Sequence, residues 1–146
     1  MKTIILAIGN SLRRDDGAAH RVLELLEPQP GVLTRSLLQL APEQSEEIAP
    51  ARMVVFVDAD VEPGPARIER LPRGDPPPRS PLAHSMRPAE IVALARSLFH
   101  FTGQAYVCHV PGADFSEGEG LSGTASRNAI RAAELLRDLL YTPESR

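Results

Sequence analysis

Three stretches of the chain, TIILAI (3–8), MVVFVDA (53–59) and QAYVCHV (104–110), are apolar almost without interruption. Side chains alternate across a strand, so a run that does not alternate predicts a strand buried on both faces. Between these runs the period changes. Gly17 to Leu26 puts Ala19, Val22, Leu23 and Leu26 on one side, Pro88 to Phe99 does the same with Ile91, Leu94, Ala95 and Leu98, and Ala125 to Leu140 ends in AAELLRDLL. Each has the spacing of a helix with one apolar stripe. VLTRSLL (32–38) reads as a weaker strand and PEQSEEIA (42–49) as a short helix, completing a first β-α-β-α-β half; ARIERL (66–71) alternates and reads as a further strand at an edge. Strands and helices in alternation predict the α/β class.

Residues 71–88, LPRGDPPPRSPLAHSMRP, break the pattern: prolines 72, 76, 77, 78, 81 and 88 exclude a helix or a central strand. A connection this long is either a functional loop or a solvated spacer. Arg70, Arg73, Arg79 and Arg87 lie within or beside it and would make a positive rim over a cleft, but taken alone the loop fits a polyproline-like spacer better.

The 146 residues suit one domain, 1–146, burying roughly two-thirds of the surface of the unfolded chain. Sixteen Lys and Arg against nineteen Asp and Glu leave no basic stripe of the kind a phosphate backbone needs, so no nucleic-acid partner is expected. Cys108 is the only cysteine, which rules out an intrachain disulfide and suits a reducing compartment. The opening MKTIILAIGN places a lysine before an apolar run, but that run is shorter than a signal-peptide core and is followed by arginines and aspartates. No segment reaches the roughly 18 apolar residues of a membrane span, so a cytoplasmic protein is expected.

In open α/β sheets ligands gather beyond the carboxyl ends of the strands, which directs attention to polar residues just after the apolar runs. Asp15 and Asp16 follow the Gly9-Asn10 turn, Asp58 closes VVFVD, and His84 lies in the proline-rich stretch ahead of Pro88. Asp16, Asp58 and His84 form a plausible borderline-metal set with open positions, since two carboxylates and an imidazole suit nickel or zinc. Each also has a plain structural explanation. Helix capping would account for one of the two adjacent aspartates, Asp58 could cap a turn in DADVEPG, and His84 could be a surface histidine. An acid directly after four apolar residues is expected to be at least half-buried, however, where an unpaired charge is costly and a nearby cation removes the cost.

Other patterns carry less. GEGLSG (118–123) matches GxGxxG, but neither a further strand nor an acid about twenty residues on follows it, so a dinucleotide is excluded. It is no nucleophile elbow either, because Thr124 stands where the last glycine would be; Ser122 reads instead as a helix N-cap. Cys108 and His109 are strand neighbours on opposite faces, with Cys108 in the core. Asp16 and His20 are spaced i, i+4 and could share a metal, though a solvated pair explains them as well.

AIGNSLRRDDGAAHRVLELL, VVFVDADVEPG, LAHSMRPAEIVALA and EGEGLSGTA, in this order, resemble the hydrogenase maturation endopeptidases, which remove a C-terminal extension from the large subunit of nickel-iron hydrogenases. The likeness runs nearly the whole length. It implies an open twisted, mostly parallel sheet of about five strands with helices on both faces. It also implies metal contacts at Asp16, Asp58 and His84, with Asp16 and Asp58 as the catalytic acids of an aspartyl-type endopeptidase. No cofactor of its own is implied: the nickel is supplied by the substrate, and zinc or cadmium could stand in for it in a crystal. The implied partner is a hydrogenase large-subunit precursor, and a monomer would suffice. Two positions depart from the pattern: Asp16 stands where many relatives have Glu, shortening the reach by one methylene, and Ala19 where Gly is usual.

The preferred mechanism has the bound metal and one carboxylate, Asp16 or Asp58, position water against the scissile amide. In a variant of it the metal serves for docking alone. Two competing readings are a non-proteolytic module that holds a metal or an anion, and another hydrolase on the same scaffold. GNSLRRDDG contains no lysine and two adjacent acids, which favours a metal over phosphate.

Overall fold

The computed structural model describes residues 2–74, 76 and 85–141. Its strands are β1 (Thr3–Ile8), β2 (Val32–Leu37), β3 (Met53–Asp60), β4 (Arg67–Arg70) and β5 (Gln104–Pro111), and its helices are α1 (Ala18–Leu25), α2 (Glu43–Ile48), α3 (Pro88–Phe99) and α4 (Gly123–Tyr141). A single 3-10 turn, Arg14–Gly17, precedes α1. The strands form one five-stranded sheet in the order β2-β1-β3-β5-β4, parallel throughout except for β4, which runs antiparallel to β5 at the edge. The α/β class, the mostly parallel open sheet and the edge position of 66–71 are as the sequence predicts.

The apolar runs lie where burial is greatest. All six residues of β1 are buried, as are the first five of β3. Alternate residues feed two separate cores. Ile5, Ala7, Val55, Val57 and Cys108 pack with Val22 of α1 and Ala129, Ala133 and Leu136 of α4 on one face. Ile4, Leu6, Val54, Phe56 and Val107 pack with Ile48 of α2 and Ile91 and Ala95 of α3 on the other. Helices therefore cover both faces, and truncating a fully buried side chain such as Phe56 to Ala would cost about 3–5 kcal/mol.

β1 and β3 are adjacent and in register, with Ile8 opposite Asp58. The chain leaving β1 enters α1 on the first face, whereas α2 and α3 lie on the second. A crevice opens where neighbouring crossovers part to opposite faces, and here that point lies beyond the carboxyl ends of β1 and β3. The proline-rich connection is described only at 71–74, 76 and 85–87, none of it helix or strand; His84 lies outside the described residues.

Candidate functional site

Asp16 and Asp58 line one cavity of about 350 Å3 at that crevice, together with Gly9, Leu40, Ser85 and Arg87 among others. Asp58 comes there as the residue of β3 beside the end of β1. Asp16 comes there because the chain turns back on itself after Gly9. Asn10 Oδ1 accepts the Leu12 amide at 2.9 Å, the Asn10 carbonyl accepts the Arg13 amide at 3.0 Å, and the Asn10 amide donates to Asp16 Oδ2 at 2.8 Å. This fold-back needs glycine at position 9: its φ is +154°, and a Cβ there would stand 1.9 Å from the Asp16 carbonyl oxygen.

Burial pushes the Asp58 carboxyl up to about 7, with the Asp16 carboxylate and, more weakly, Asp60 adding to the effect and the Ala59 amide opposing it. A carboxyl that is both desolvated and facing another carboxylate resists ionising. A divalent cation between the two would reverse both influences, so the donor set fits a metal bound by hard or borderline ligands. Among the described residues no three Asp, Glu, His or Cys side chains converge on a metal position. Ser85, next to His84 in sequence, lines the cavity.

The neighbouring acids do different work. Neither Asp15 nor Asp16 caps the helix that follows: α1 has no side-chain cap at Gly17, and the 3-10 turn has none at Arg13. Asp15 is fully buried and holds the β5–α4 connection instead. Its Oδ2 accepts the Ala113 amide at 2.7 Å, the Asp114 amide at 2.9 Å and the Ser122 hydroxyl at 2.6 Å, while Oδ1 accepts the Ser122 amide at 2.8 Å. Burial alone would raise the Asp15 carboxyl; these hydrogen bonds outweigh it and hold the group below the usual carboxylate range. Gly112 makes room for it, since a Cβ there would stand 2.6 Å from Asp15 Cβ.

Turn capping in DADVEPG falls to Asp60 rather than Asp58. Asp60 Oδ1 accepts the Glu62 amide at 3.0 Å and Oδ2 accepts Arg67 Nη2 at 3.0 Å. Burial works to raise its carboxyl, and those two donors together with His109 bring it below the usual range. Ser122 is the N-cap the sequence predicts, its Oγ accepting the Ala125 amide at 3.1 Å. Cys108 is buried in the core, and burial pushes its thiol up to about 12, so it is no nucleophile. The i, i+4 pair of Asp16 and His20 is not realised. His20 Nε2 donates to the Gly9 carbonyl at 2.7 Å, and the imidazole lines a separate cavity of about 550 Å3 on the other side of the β1–α1 segment.

Sequence reasoning passed over Asp15 and Asp60 as organisers of this region. Asp60 carried a usable signal, an acid two residues before Glu62 at the end of an apolar run; the partners of Asp15 lie too far along the chain to be inferred from spacing.

No family model and no curated protein matches the chain. Solved structures do match it. The hydrogenase maturating endopeptidase HybD from E. coli superimposes with a TM-score of 0.72 at 19% identity, covering 96% of this chain and 92% of its own. A hydrogenase 2 maturation peptidase from a Thaumarchaeota archaeon gives 0.69 at 17% identity over 97% and 99%. The NiFe hydrogenase maturation protease HycI from Thermococcus kodakarensis gives 0.66 at 25% identity over 97% and 93%. Over nearly its whole length, the chain has the fold of the hydrogenase maturation endopeptidases.

Proposed function

We propose that the chain is an endopeptidase of hydrogenase maturation, working in the cytoplasm to remove the C-terminal extension of a nickel-iron hydrogenase large-subunit precursor. The observation that carries this reading is the meeting of Asp16 and Asp58 in one cavity beyond β1 and β3. Four motifs in the family's order, and a fold shared with solved maturation proteases across more than nine-tenths of the chain, give it its substrate class.

On this reading the precursor's nickel is part of the substrate. Asp16, Asp58 and His84 hold it as the precursor docks, which lets only a metal-loaded subunit present its peptide correctly. Water adds to the scissile carbonyl carbon, one of the two carboxylates takes the proton that the water gives up, and that proton passes to the amide nitrogen as the C–N bond breaks. The Asn10 amide keeps Asp16 aimed at the cavity throughout.

The test mixes the protein with nickel-loaded and nickel-free precursor and weighs the products by mass spectrometry. Loss of a C-terminal fragment from the loaded form alone is expected, and Asp16→Ala, Asp58→Ala and His84→Ala should each abolish it. Intact precursor in both mixtures, or full processing by all three variants, would overturn the reading.

A further inference from the structure

We propose that the free edge of β2 is a docking strand for an extended, acidic segment of the protein substrate, leading it into the Asp16/Asp58 cavity; this rests on the peptidase reading above. β2 ends the sheet, Leu33 to Ser36 are exposed, and among the described residues no strand pairs with its outer side. The Thr3 amide donates to the Gly31 carbonyl at 2.8 Å and the Gly9 amide to the Leu37 carbonyl at 3.0 Å. Along a parallel strand the peptide groups face one neighbour and then the other, so with residues 31 and 37 turned to β1, Thr34 and Ser36 turn their N–H and C=O outward. Edges of this kind are usually blunted by proline, a bulge or charged side chains, lysine above all. VLTRSL has neither proline nor lysine, its one charge, Arg35, is paired with Glu47 of α2 at 2.7 Å, and its register with β1 is unbroken from Val32 to Leu37. An open edge is a template on which an extended chain adds as a strand.

The cavity of about 550 Å3 lies along this strand. Thr34, Arg35 and Ser36 line it from β2, and Arg14, His20 and Arg21 from the β1–α1 side. Arg14 and Arg21 stand against one lining acid, Glu24, and with Asp114 at 3.7 Å and Glu24 at 3.3 Å as partners their side chains stay 40% and 50% exposed. Arg35 turns its guanidinium to Glu47 of α2, 2.7 Å away on the other face of the sheet. Exposed arginines along one wall of the groove favour an acidic segment over a basic one. Leu33 and Leu38, at 45% and 67% exposure, offer apolar contacts for alternate side chains of that segment.

Direction ties the groove to the chemistry. Beyond Leu37 the chain continues as Leu38, Gln39 and Leu40, and these line the cavity of Asp16 and Asp58. From Ser36 to Gln39 is three residues, roughly 10 Å of extended chain, so a segment paired with Thr34 and Ser36 arrives at the β2 side of this cavity and crosses the ends of β2 and β1 to meet the two acids.

Two measurements on the full chain test this. In the first, the backbone amides are followed by NMR during titration with a peptide of alternating Glu and Val, its Lys and Val counterpart, and a version carrying a central proline. Saturable shifts of the Thr34 and Ser36 amides with the acidic peptide are expected, weaker by roughly tenfold with the basic one and absent with the proline one. Shifts confined to other regions, or equal with both charges, would overturn the proposal. So would β2 amide protection that grows with protein concentration alone, which would assign the edge to a second copy of the chain. In the second, Thr34→Pro removes an outward N–H without breaking the ladder to β1, and Arg21→Glu inverts one cation on the exposed face of α1. Each should raise KM for the nickel-loaded precursor roughly fivefold, with a smaller change in kcat. An unchanged KM in both folded variants would overturn the docking strand. Failure of the wild type to cleave the precursor would overturn the peptidase reading instead, while the amide shifts would still judge the edge.

Discussion

Asp15 and Ser122 lie 107 positions apart and share two hydrogen bonds, the serine hydroxyl donating to Oδ2 at 2.6 Å and its amide to Oδ1 at 2.8 Å. Through this pair the segment that positions Asp16 is fastened to the connection that starts α4. The fastening is reinforced nearby: the Arg14 amide donates to the Gly118 carbonyl at 3.0 Å, and the Gly118 amide to the Leu12 carbonyl at 2.9 Å. Asp15 therefore acts on the site through its neighbour in sequence, as a positioning residue.

Asp15→Asn keeps the shape of the side chain and replaces one acceptor oxygen by an NH2 group. That group would face an amide or hydroxyl donor inside a fully buried pocket, leaving donors unsatisfied. The expected loss at neutral pH is about 3 kcal/mol, read from denaturant midpoints at constant m-value. In acid the difference should shrink. A carboxyl whose folded pKa is depressed contributes stability above its unfolded value of 3.8 and loses that contribution as pH falls through the folded one.

Ser122→Ala removes a hydroxyl that does two things: it donates to Asp15 and accepts the Ala125 amide at the start of α4. Losing an N-cap costs about 1 kcal/mol, and the uncompensated acceptor adds a similar amount. Ser122→Thr retains both functions and should recover most of the loss in a thermal melt. No recovery would show that the pocket tolerates no extra methyl, whereas no initial loss would remove the hydroxyl from the account of how this connection is held.

Asp58 gives the opposite pH signature. Its carboxyl is pushed up to about 7 by burial and the facing acids, against 3.8 for an ordinary aspartate. Between those values the folded state holds more protons than the unfolded one, so stability of the metal-free protein falls as pH rises through that window and levels off above it. Asp58→Asn carries no charge to bury. Without metal the variant should be more stable than the wild type at pH 8, by an amount on the order of a few kcal/mol at most, and the gain should vanish near pH 4. Melts of both proteins across pH 4 to 8 decide it, and parallel curves would mean that Asp58 ionises freely in the fold.

The sheet was legible in the sequence because its signal is local. A strand buried on both faces has to be apolar along its buried length, and β1 from Ile4 and β3 as far as Val57 are; an edge strand has to alternate, and Ala66–Glu69 does, buried, exposed, half-buried and exposed in turn. Asp58 could be chosen for the same reason, since an acid that directly follows such a run is carried to the carboxyl end of its strand, and Asp16 because the turn after β1 begins at that same end. Asp15 could not be resolved from Asp16 in this way. The two are adjacent in the same turn, and what sends one to α4 and the other to the cavity is a set of amides at positions 113, 114 and 122 that no local rule connects to position 15. His20 failed for a related reason: i, i+4 spacing predicts a shared face only within one regular helix, and Asp16 belongs to a 3-10 turn that ends before α1 begins.

Gly9 is the position at which the smallest change should have the largest local effect. A methyl group there would meet the Asp16 carbonyl oxygen at 1.9 Å, a backbone atom that moves only if the turn moves. The same residue anchors three further contacts, because its amide donates to Leu37, its carbonyl accepts His20 and its successor's amide holds the Asp16 side chain. Gly9→Ala should thus displace Asp16 from the cavity while the strands remain intact. The expected outcome is loss of precursor cleavage with a stability decrease of about 1–3 kcal/mol, the cost of a strained backbone conformation. Amide exchange should localise the change, with protection lost at Asn10, Arg13 and Asp16 but kept in β3 and β5. A Gly9→Ala protein that cleaves at the wild-type rate would show that Asp16 need not stand where this turn holds it.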